Sequence, residues 1–154
     1  MRIFITGEKG FIATNLIERS KAFKDVEVVT RDNTNYFEYF IHFNKAYKYN
    51  YSEPCVHKNE QASWERFFKD EKIDVVIHNA AVVGTDVVAL NSTSSTLTNV
   101  EGTYRICRAA KAAGVNVCYM GTTVIYDTQK YQDCEIQEDS DRGPHTLYGC
   151  QKLC

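Results

Sequence analysis

The sequence predicts an α/β fold built on a doubly wound parallel sheet, and three observations support this. Residues 2–6 are strand formers that lead through a glycine turn into a helical pattern. Residues 73–78 are strongly apolar, as expected for a central parallel strand covered on both faces. Residues 96–113 read as a long helix that ends at a glycine and precedes a strand at 115–120. Strands that alternate with helices in this way form a parallel sheet.

The turn after the first strand carries the first functional signal. Gly7 allows a positive φ, Gly10 lets a phosphate approach the backbone without a Cβ in the way, and Ala13 allows close helix–strand packing. The spacing Gly-x-x-Gly-x-x-Ala leads into a helix N-terminus, whose N–H groups suit a pyrophosphate. An ordinary glycine-rich turn is the alternative. The predicted cofactor-binding residues of this segment are Gly7, Gly10, Phe11, Ile12 and Ala13.

Composition indicates an ordinary globular protein. The chain has 154 residues, 44% hydrophobic residues and a net charge of −2, which suits one domain and gives no case for nucleic acid as a partner. No apolar run is long enough to span a membrane and no signal peptide is visible, so we expect a cytoplasmic protein. The six cysteines contain no Cys-x-x-Cys pair, which argues against a metal site, and without a signal peptide we expect them to be reduced thiols. Cys107 and Cys118 are predicted to be small core residues.

The end of the second strand, residues 26–30, offers groups for a nucleotide ribose. It is followed by Arg31, Asp32 and Asn33. In a βαβ unit, an acid at this place binds the 2′-hydroxyl of NAD, and an arginine can accept the 2′-phosphate of NADP. We favour NAD through Asp32. The alternatives are NADP through Arg31, or polar residues that simply cap the strand.

The carboxyl ends of the later strands supply further candidates, because ligands of open α/β sheets bind at this edge. The apolar strand ends in Asn79, Ala80 and Ala81, which are small enough for a cofactor to lie against the backbone. Thr122 follows the last strand. His78 is predicted to be a satisfied core histidine rather than a catalyst.

Helical patterns complete the outline. Residues 62–72 predict an amphipathic helix, with Trp64, Phe67 and Phe68 on one side. A helix that begins after Pro144 would place the later candidate pair, Tyr148 and Lys152, on one face. In the long helix at 96–113, one face is marked by Leu97, Val100, Tyr104, Cys107 and Lys111.

Five segments resemble, in order, the motifs of the NAD-dependent epimerase/dehydratase family, the extended short-chain dehydrogenases/reductases. They are 7–13 (TGxxGFIG in the family), 74–81 (DVVIHxAA), 99–103 (NVxGT), 122–126 (S/T-x-x-V-Y) and 144–152 (P-x-x-x-Y-x-x-x-K). Each match is weak by itself, but their order across the whole chain makes the set specific. The resemblance implies a Rossmann-type NAD(P)-binding domain over residues 1–154.

The resemblance also implies a chemistry, hydride transfer between a sugar carbon of a nucleotide sugar and nicotinamide. Tyr148 would be the acid/base, and the Lys152 ammonium would lower its pKa from about 10. Thr122 would hold the reacting oxygen, and Asn99 would be a structural helper. The predicted catalytic set is therefore Thr122, Tyr148, Lys152 and Asn99, with Tyr148 and Lys152 also predicted to contact the cofactor.

Two comparisons with the family pattern narrow this prediction. Tyr126 and Lys130 form a second Tyr-x-x-x-Lys match, but they lie in a predicted loop, where this spacing need not bring the side chains together. The family's 4,6-dehydratases usually carry Asp-Glu directly after the threonine, whereas Thr123 and Val124 stand here. This difference argues against dehydration, so epimerisation and reduction remain as the two alternative activities.

Members of this family are much longer than the present chain. We therefore expect an N-terminal portion, with the C-terminal part of the fold and the substrate domain absent. Such a chain should bind cofactor weakly and turn over little, and a longer form could be a homodimer. The alternative function is a non-catalytic dinucleotide-binding module built on the same half-fold.

Overall fold

The computed structural model describes residues 1–30, 64–131 and 134–154. The ribose candidates Arg31, Asp32 and Asn33 lie outside these residues. The chain divides into two compact units, one formed by 1–79 with 105–118 and the other by 80–104 with 119–154.

The described elements alternate between strands and helices. In chain order they are β1 (Arg2–Thr6), α1 (Phe11–Ser20), β2 (Glu27–Val29), α2 (64–70), β3 (Val75–His78), α3 (Thr85–Leu90), α4 (Ser92–Thr96), a π-helical segment (Leu97–Gly102), α5 (Thr103–Ala113), β4 (Asn116–Tyr119), a 3₁₀ turn (Thr123–Ile125) and α6 (Leu147–Leu153). None of these helices combines the length and apolarity that a membrane crossing requires.

The sheet belongs to the first unit and has the strand order β2-β1-β3-β4. β1 pairs in parallel with β2 on one side and with β3 on the other, with Phe4 opposite Val29 and Val76. The chain moves outward from β1 to β2 and then returns to the opposite side of β1. The strand order therefore reverses between β1 and β3, the position at which open α/β sheets bind ligands. The predicted parallel α/β class is confirmed.

An aromatic cluster fills the core of the first unit. The Phe4 ring lies 5.7 Å from that of Trp64 and 5.0 Å from that of Phe67, measured between centroids. Phe68 and Val76 are buried in the same cluster. The predicted amphipathic face of α2 is thus confirmed, and its rings cover the strand that leads into the glycine turn.

The long helix packs on a different face from the one that the sequence suggested. Ile106, Ala109 and Ala110 are buried, whereas Tyr104 and Cys107 are exposed. Lys111 is also exposed, as is Cys118, so the prediction that the two cysteines are core residues was wrong. Alanines fill the buried face because they allow a helix to lie close to a sheet, and their small side chains hid the apolar periodicity.

Candidate functional site

The glycine turn of the first unit has the geometry of a strand-to-helix connection. Gly7 has a φ of 69°, which an L side chain rarely adopts, and its carbonyl oxygen accepts a 2.8 Å hydrogen bond from the Gly10 nitrogen. α1 starts directly afterwards, so the N–H groups of Phe11, Ile12 and Ala13 belong to its first turn, where no intrahelical acceptor exists. Ala13 is fully buried, as the close packing predicted for it requires. The turn therefore has the backbone geometry that suits an anion.

The end of β3 lies beside this turn. A Cβ added to Gly10 would stand 3.1 Å from the Gly7 oxygen and 3.7 Å from Asn79 Nδ2, so Asn79 borders the glycine turn. Thr6 Oγ1 lies 2.8 Å from His78 Nδ1 and accepts a hydrogen bond from the Asn79 nitrogen. These bonds join the carboxyl ends of β1 and β3. The prediction that His78 is a satisfied core histidine is confirmed.

In the second unit, α6 carries Tyr148 and Lys152 one turn apart, which places them on the same helix face. Lys152 is only 8% exposed, and its Nζ lies 4.0 Å from the centroid of the Tyr119 ring. Burial raises the pKa of Tyr148 and lowers the pKa of Lys152. The expected lowering of the Tyr148 pKa is therefore wrong for this arrangement, in which the lysine is directed at another ring.

Thr122 stands where the chain enters the 3₁₀ turn, and Gly149 is the residue at which α6 meets this turn. Thr122 has extended backbone angles and is half-buried. A Cβ on Gly149 would collide with the Val124 carbonyl oxygen and lie 2.8 Å from Pro144 Cβ. Thr146 Oγ1 accepts a 3.0 Å hydrogen bond from the Gly149 nitrogen and so caps the helix. The structure thus brings the Thr122 turn against the helix that carries Tyr148.

Because this packing has no room for a side chain, Gly149→Ala is expected to lower the free energy of unfolding by about 1–3 kcal/mol, the usual cost of overpacking. Urea unfolding measures the change. Gly121→Ala is the matched control, since no heavy atom lies within 4 Å of the added Cβ. Equal stability of the two variants would show that the turn and α6 are not in close contact.

Asn99 is 1% exposed and lies in the π-helical segment. Its Oδ1 accepts a hydrogen bond from the Val82 nitrogen, and its Nδ2 donates to the Val82 oxygen and to Gln151 Oε1. The bonds to Val82 fix the chain directly after Ala80 and Ala81. All of these partners belong to the protein, which fits the predicted structural helper better than a group that contacts a substrate.

Gln151 is a buried residue beside the candidate catalytic pair that the sequence reasoning missed. It stands inside the Tyr-x-x-x-Lys motif, is 4% exposed and makes three hydrogen bonds. A long polar side chain between two candidate catalytic residues was a visible signal. Its partners lie more than 50 residues away along the chain, which no local pattern reveals.

The competing Tyr-x-x-x-Lys pair has a different arrangement. Tyr126 donates from its hydroxyl to the Glu138 oxygen, whereas Lys130 forms an ion pair with Asp141. Asp127 lies between them and binds His145 at 2.7 Å, and this hydrogen bond lowers the pKa of the Asp127 carboxyl. Tyr126 and Lys130 thus bind different partners in an exposed loop and not each other. We therefore keep Tyr148 and Lys152 as the candidate catalytic pair.

Burial of Lys152 leads to a prediction about stability. Lys152→Met is expected to raise the free energy of unfolding at neutral pH, because the folded state disfavours the lysine charge. The penalty is complete below the folded pKa and vanishes above the unfolded pKa, which is higher. The natural chain therefore gains stability as the pH rises between the two values, and the advantage of the variant shrinks.

Urea unfolding at a series of pH values tests this expectation. Lys130→Met is the control, since Lys130 is exposed and Asp141 raises its pKa. This substitution should not stabilise the chain. A Lys152→Met chain that is less stable than the natural one at neutral pH would contradict the argument.

These features define a parallel α/β protein with a Tyr-x-x-x-Lys helix, and comparison with known proteins gives its family. The model of the NAD dependent epimerase/dehydratase family matches residues 3–154. The chain belongs to this family, which confirms the resemblance read from its motifs.

Curated relatives show how much of a family member the chain covers. dTDP-D-glucose 4,6-dehydratase of Mus musculus is 28% identical over 158 residues, which cover 98% of this chain and 43% of that protein. The Homo sapiens protein of the same name is 27% identical with the same coverage. The chain thus spans less than half the length of the curated relatives it matches.

Solved structures share the fold. A dTDP-4-dehydrorhamnose reductase of Clostridium acetobutylicum matches with a TM-score of 0.73 at 23% identity, over 99% of this chain and 46% of that one. A UDP-glucose-4-epimerase of Stenotrophomonas maltophila matches with a TM-score of 0.73 at 19% identity, over 99% of this chain and 46% of that one. That structure was solved with bound NAD and formylated UDP-arabinopyranose. At these identities the likeness shows the Rossmann-type fold alone.

Proposed function

We propose that this chain supplies the cofactor-binding and acid–base groups of an NAD(P)-dependent nucleotide-sugar epimerase or reductase. The observation that carries the proposal is α6, where Tyr148 and the buried Lys152 share one helix face beside the Thr122 turn. Burying a lysine that no described carboxylate neutralises lowers stability. A protein that merely bound a dinucleotide would gain nothing from this arrangement, whereas acid–base chemistry needs it.

The glycine turn is the proposed pyrophosphate site. Backbone N–H groups at the start of α1 would bind the phosphates, with Asn79 at the border of the turn and Ala80 and Ala81 following it. Asp32 would bind the ribose of NAD, the cofactor that the family description names. When bound, the nicotinamide supplies the hydride acceptor and donor.

The proposed acid–base group is the phenol of Tyr148. Its raised pKa keeps it protonated at neutral pH, which is the form that protonates a carbonyl oxygen. A lysine charge about 4 Å away is worth about 4 kcal/mol at an effective dielectric of about 20, or about three pKa units. A lysine charge at that distance from the phenol would therefore favour the phenolate, the form that acts as a base, while Thr122 would hold the substrate oxygen.

Dehydration is the activity of the curated relatives, and the residues after Thr122 argue against it here. Elimination of water needs an acid and a base in addition to the hydride-transfer groups. Thr123 and Val124 follow Thr122 directly, and neither side chain titrates at neutral pH. We therefore propose epimerisation or reduction of a nucleotide sugar.

Calorimetric titration of the 154-residue chain with NAD, and then with NADP, tests the cofactor part. NAD should bind more tightly than NADP if Asp32 meets the ribose. Gly10→Val should abolish binding of both, because its side chain would crowd the Gly7 oxygen. A folded chain that binds neither dinucleotide would overturn the proposed pyrophosphate site.

Mass spectrometry of the products tests the reaction in the shortest form of the protein that turns over a nucleotide sugar. An epimerase returns a product of unchanged mass with its cofactor still oxidised, and a reductase adds two hydrogens. Loss of one water would identify a dehydratase and overturn the assignment. If every form of the protein that binds cofactor fails to turn over a nucleotide sugar, the non-catalytic module is favoured instead.

A further inference from the structure

Gln151 is the centre of a buried polar network in the second unit. Its Nε2 donates to Ser95 Oγ at 3.0 Å and to Thr96 Oγ1 at 2.9 Å. Its Oε1 accepts from Asn99 Nδ2 at 2.8 Å. One side chain of α6 is thus bonded to α4 and to the π-helical segment.

The hydrogen bonds of this network can be donated and accepted in only one arrangement, which the backbone of Val82 determines. An N–H can only donate and a carbonyl can only accept, so the two bonds to Val82 fix which end of the Asn99 amide is oxygen. The remaining Asn99 proton must point to Gln151 Oε1. Gln151 Nε2 then has to donate to the hydroxyls of Ser95 and Thr96.

Both hydroxyls are able to accept because their own protons are used elsewhere. Thr96 Oγ1 donates to the Ser92 oxygen at 2.7 Å, and Ser95 Oγ donates to the same oxygen at 3.0 Å. Every polar atom of the Gln151 side chain is therefore satisfied in one orientation. A fully satisfied buried network of this kind rigidifies the elements it joins.

α6 needs such an anchor, because a helix of seven residues is unstable by itself. Thr146 caps its start and Gly149 packs against the turn, but both lie before Gln151 in the helix. Gln151 is the neighbour of Lys152, so its bonds hold the second half of the helix. Loss of these bonds would free Lys152 to change its direction.

We propose that Gln151 is a positioning residue, which uses Asn99, Ser95 and Thr96 to fix the direction of Lys152 and its register with Tyr148. This inference rests on the proposed function for its catalytic meaning, but its geometry can be tested without a substrate.

The test uses the ring-current shift that Tyr119 imposes on the ε-methylene protons of Lys152, measured by NMR on the 154-residue chain. Tyr119→Leu defines the unshifted position, and Tyr119→Phe should retain the shift. Gln151→Met removes the three bonds at similar side-chain length. We expect Gln151→Met to move the Lys152 ε-methylene resonance at least halfway to its position in Tyr119→Leu.

Two further variants separate positioning from general loosening. Val88→Ala weakens the buried packing of the same unit but keeps the backbone oxygen that accepts from Ser95 Oγ, and should leave the shift in place. Thr96→Val removes one of two acceptors at an exposed position, and should give a smaller displacement in the same direction. It serves as the test if Gln151→Met does not fold.

The outcomes distinguish this inference from the proposed function. An unchanged Lys152 resonance in folded Gln151→Met, or in Thr96→Val if the first variant does not fold, would overturn the positioning role. Displacement of equal size in Val88→Ala would also overturn it. NAD titration of the same samples reports separately on the glycine turn, so failure to bind cofactor would overturn the proposed pyrophosphate site and leave the positioning role intact.

Discussion

Tyr148→Phe is expected to lower kcat by about 10²–10⁴-fold, the usual contribution of a positioned acid or base. The substitution removes one oxygen from a half-buried ring and leaves the α6 backbone bonds in place. The Thr146 cap and the Gln151 network do not involve the phenol. The loss should therefore appear in kcat, with KM nearly unchanged, in the shortest form of the protein that turns over a nucleotide sugar.

The chain contains a matched control for this experiment. Tyr126→Phe makes the same chemical change in the other Tyr-x-x-x-Lys pair, where the hydroxyl donates to the Glu138 oxygen in an exposed loop. It should leave kcat within a few-fold of the natural value. Turnover that survives Tyr148→Phe and fails in Tyr126→Phe would reverse the assignment of the acid–base group.

Local sequence patterns correctly predicted the elements whose structure depends on residues close together in the chain. The strand, glycine turn and helix at 2–20 form where expected, because Gly7 supplies the positive φ and the flanking segments have the right periodicity. The apolar run at 75–78 is likewise a parallel strand next to β1. These elements are specified by neighbours a few residues away.

Local sequence patterns could not predict which face of the long helix is buried. Tyr104 and Cys107 look apolar but are exposed, and the buried side is made of Ala109 and Ala110 with Ile106. Alanine is a strong helix former on any face, so its presence does not tell which side is covered. Only the partner sheet decides this.

The sequence predicted where the candidate residues stand along the chain, but not what surrounds their side chains. Tyr148 and Lys152 lie on one helix face as the spacing implies, but the direction of Lys152 toward Tyr119 is a tertiary choice. Burial raises the pKa of Tyr148. A motif gives the residues available for chemistry, whereas their protonation depends on what surrounds them.

Phe4→Ala is expected to lower the free energy of unfolding by about 3–5 kcal/mol, the usual cost of removing a buried ring. Phe4 is 2% exposed and touches the rings of Trp64, Phe67 and Phe68, which cannot close the space it leaves without moving α2. A loss of this size is a large part of the stability of an ordinary domain, about 5–15 kcal/mol.

Phe23→Ala removes the same ring from a site that is 63% exposed, and should change the free energy of unfolding by less than about 0.5 kcal/mol. Urea unfolding of the two variants, followed by Trp64 fluorescence, gives the comparison. A small effect for Phe4→Ala would mean that the aromatic cluster does not support β1. Because β1 leads directly into Gly7, the variant should also weaken NAD binding wherever it lowers the population of folded sheet.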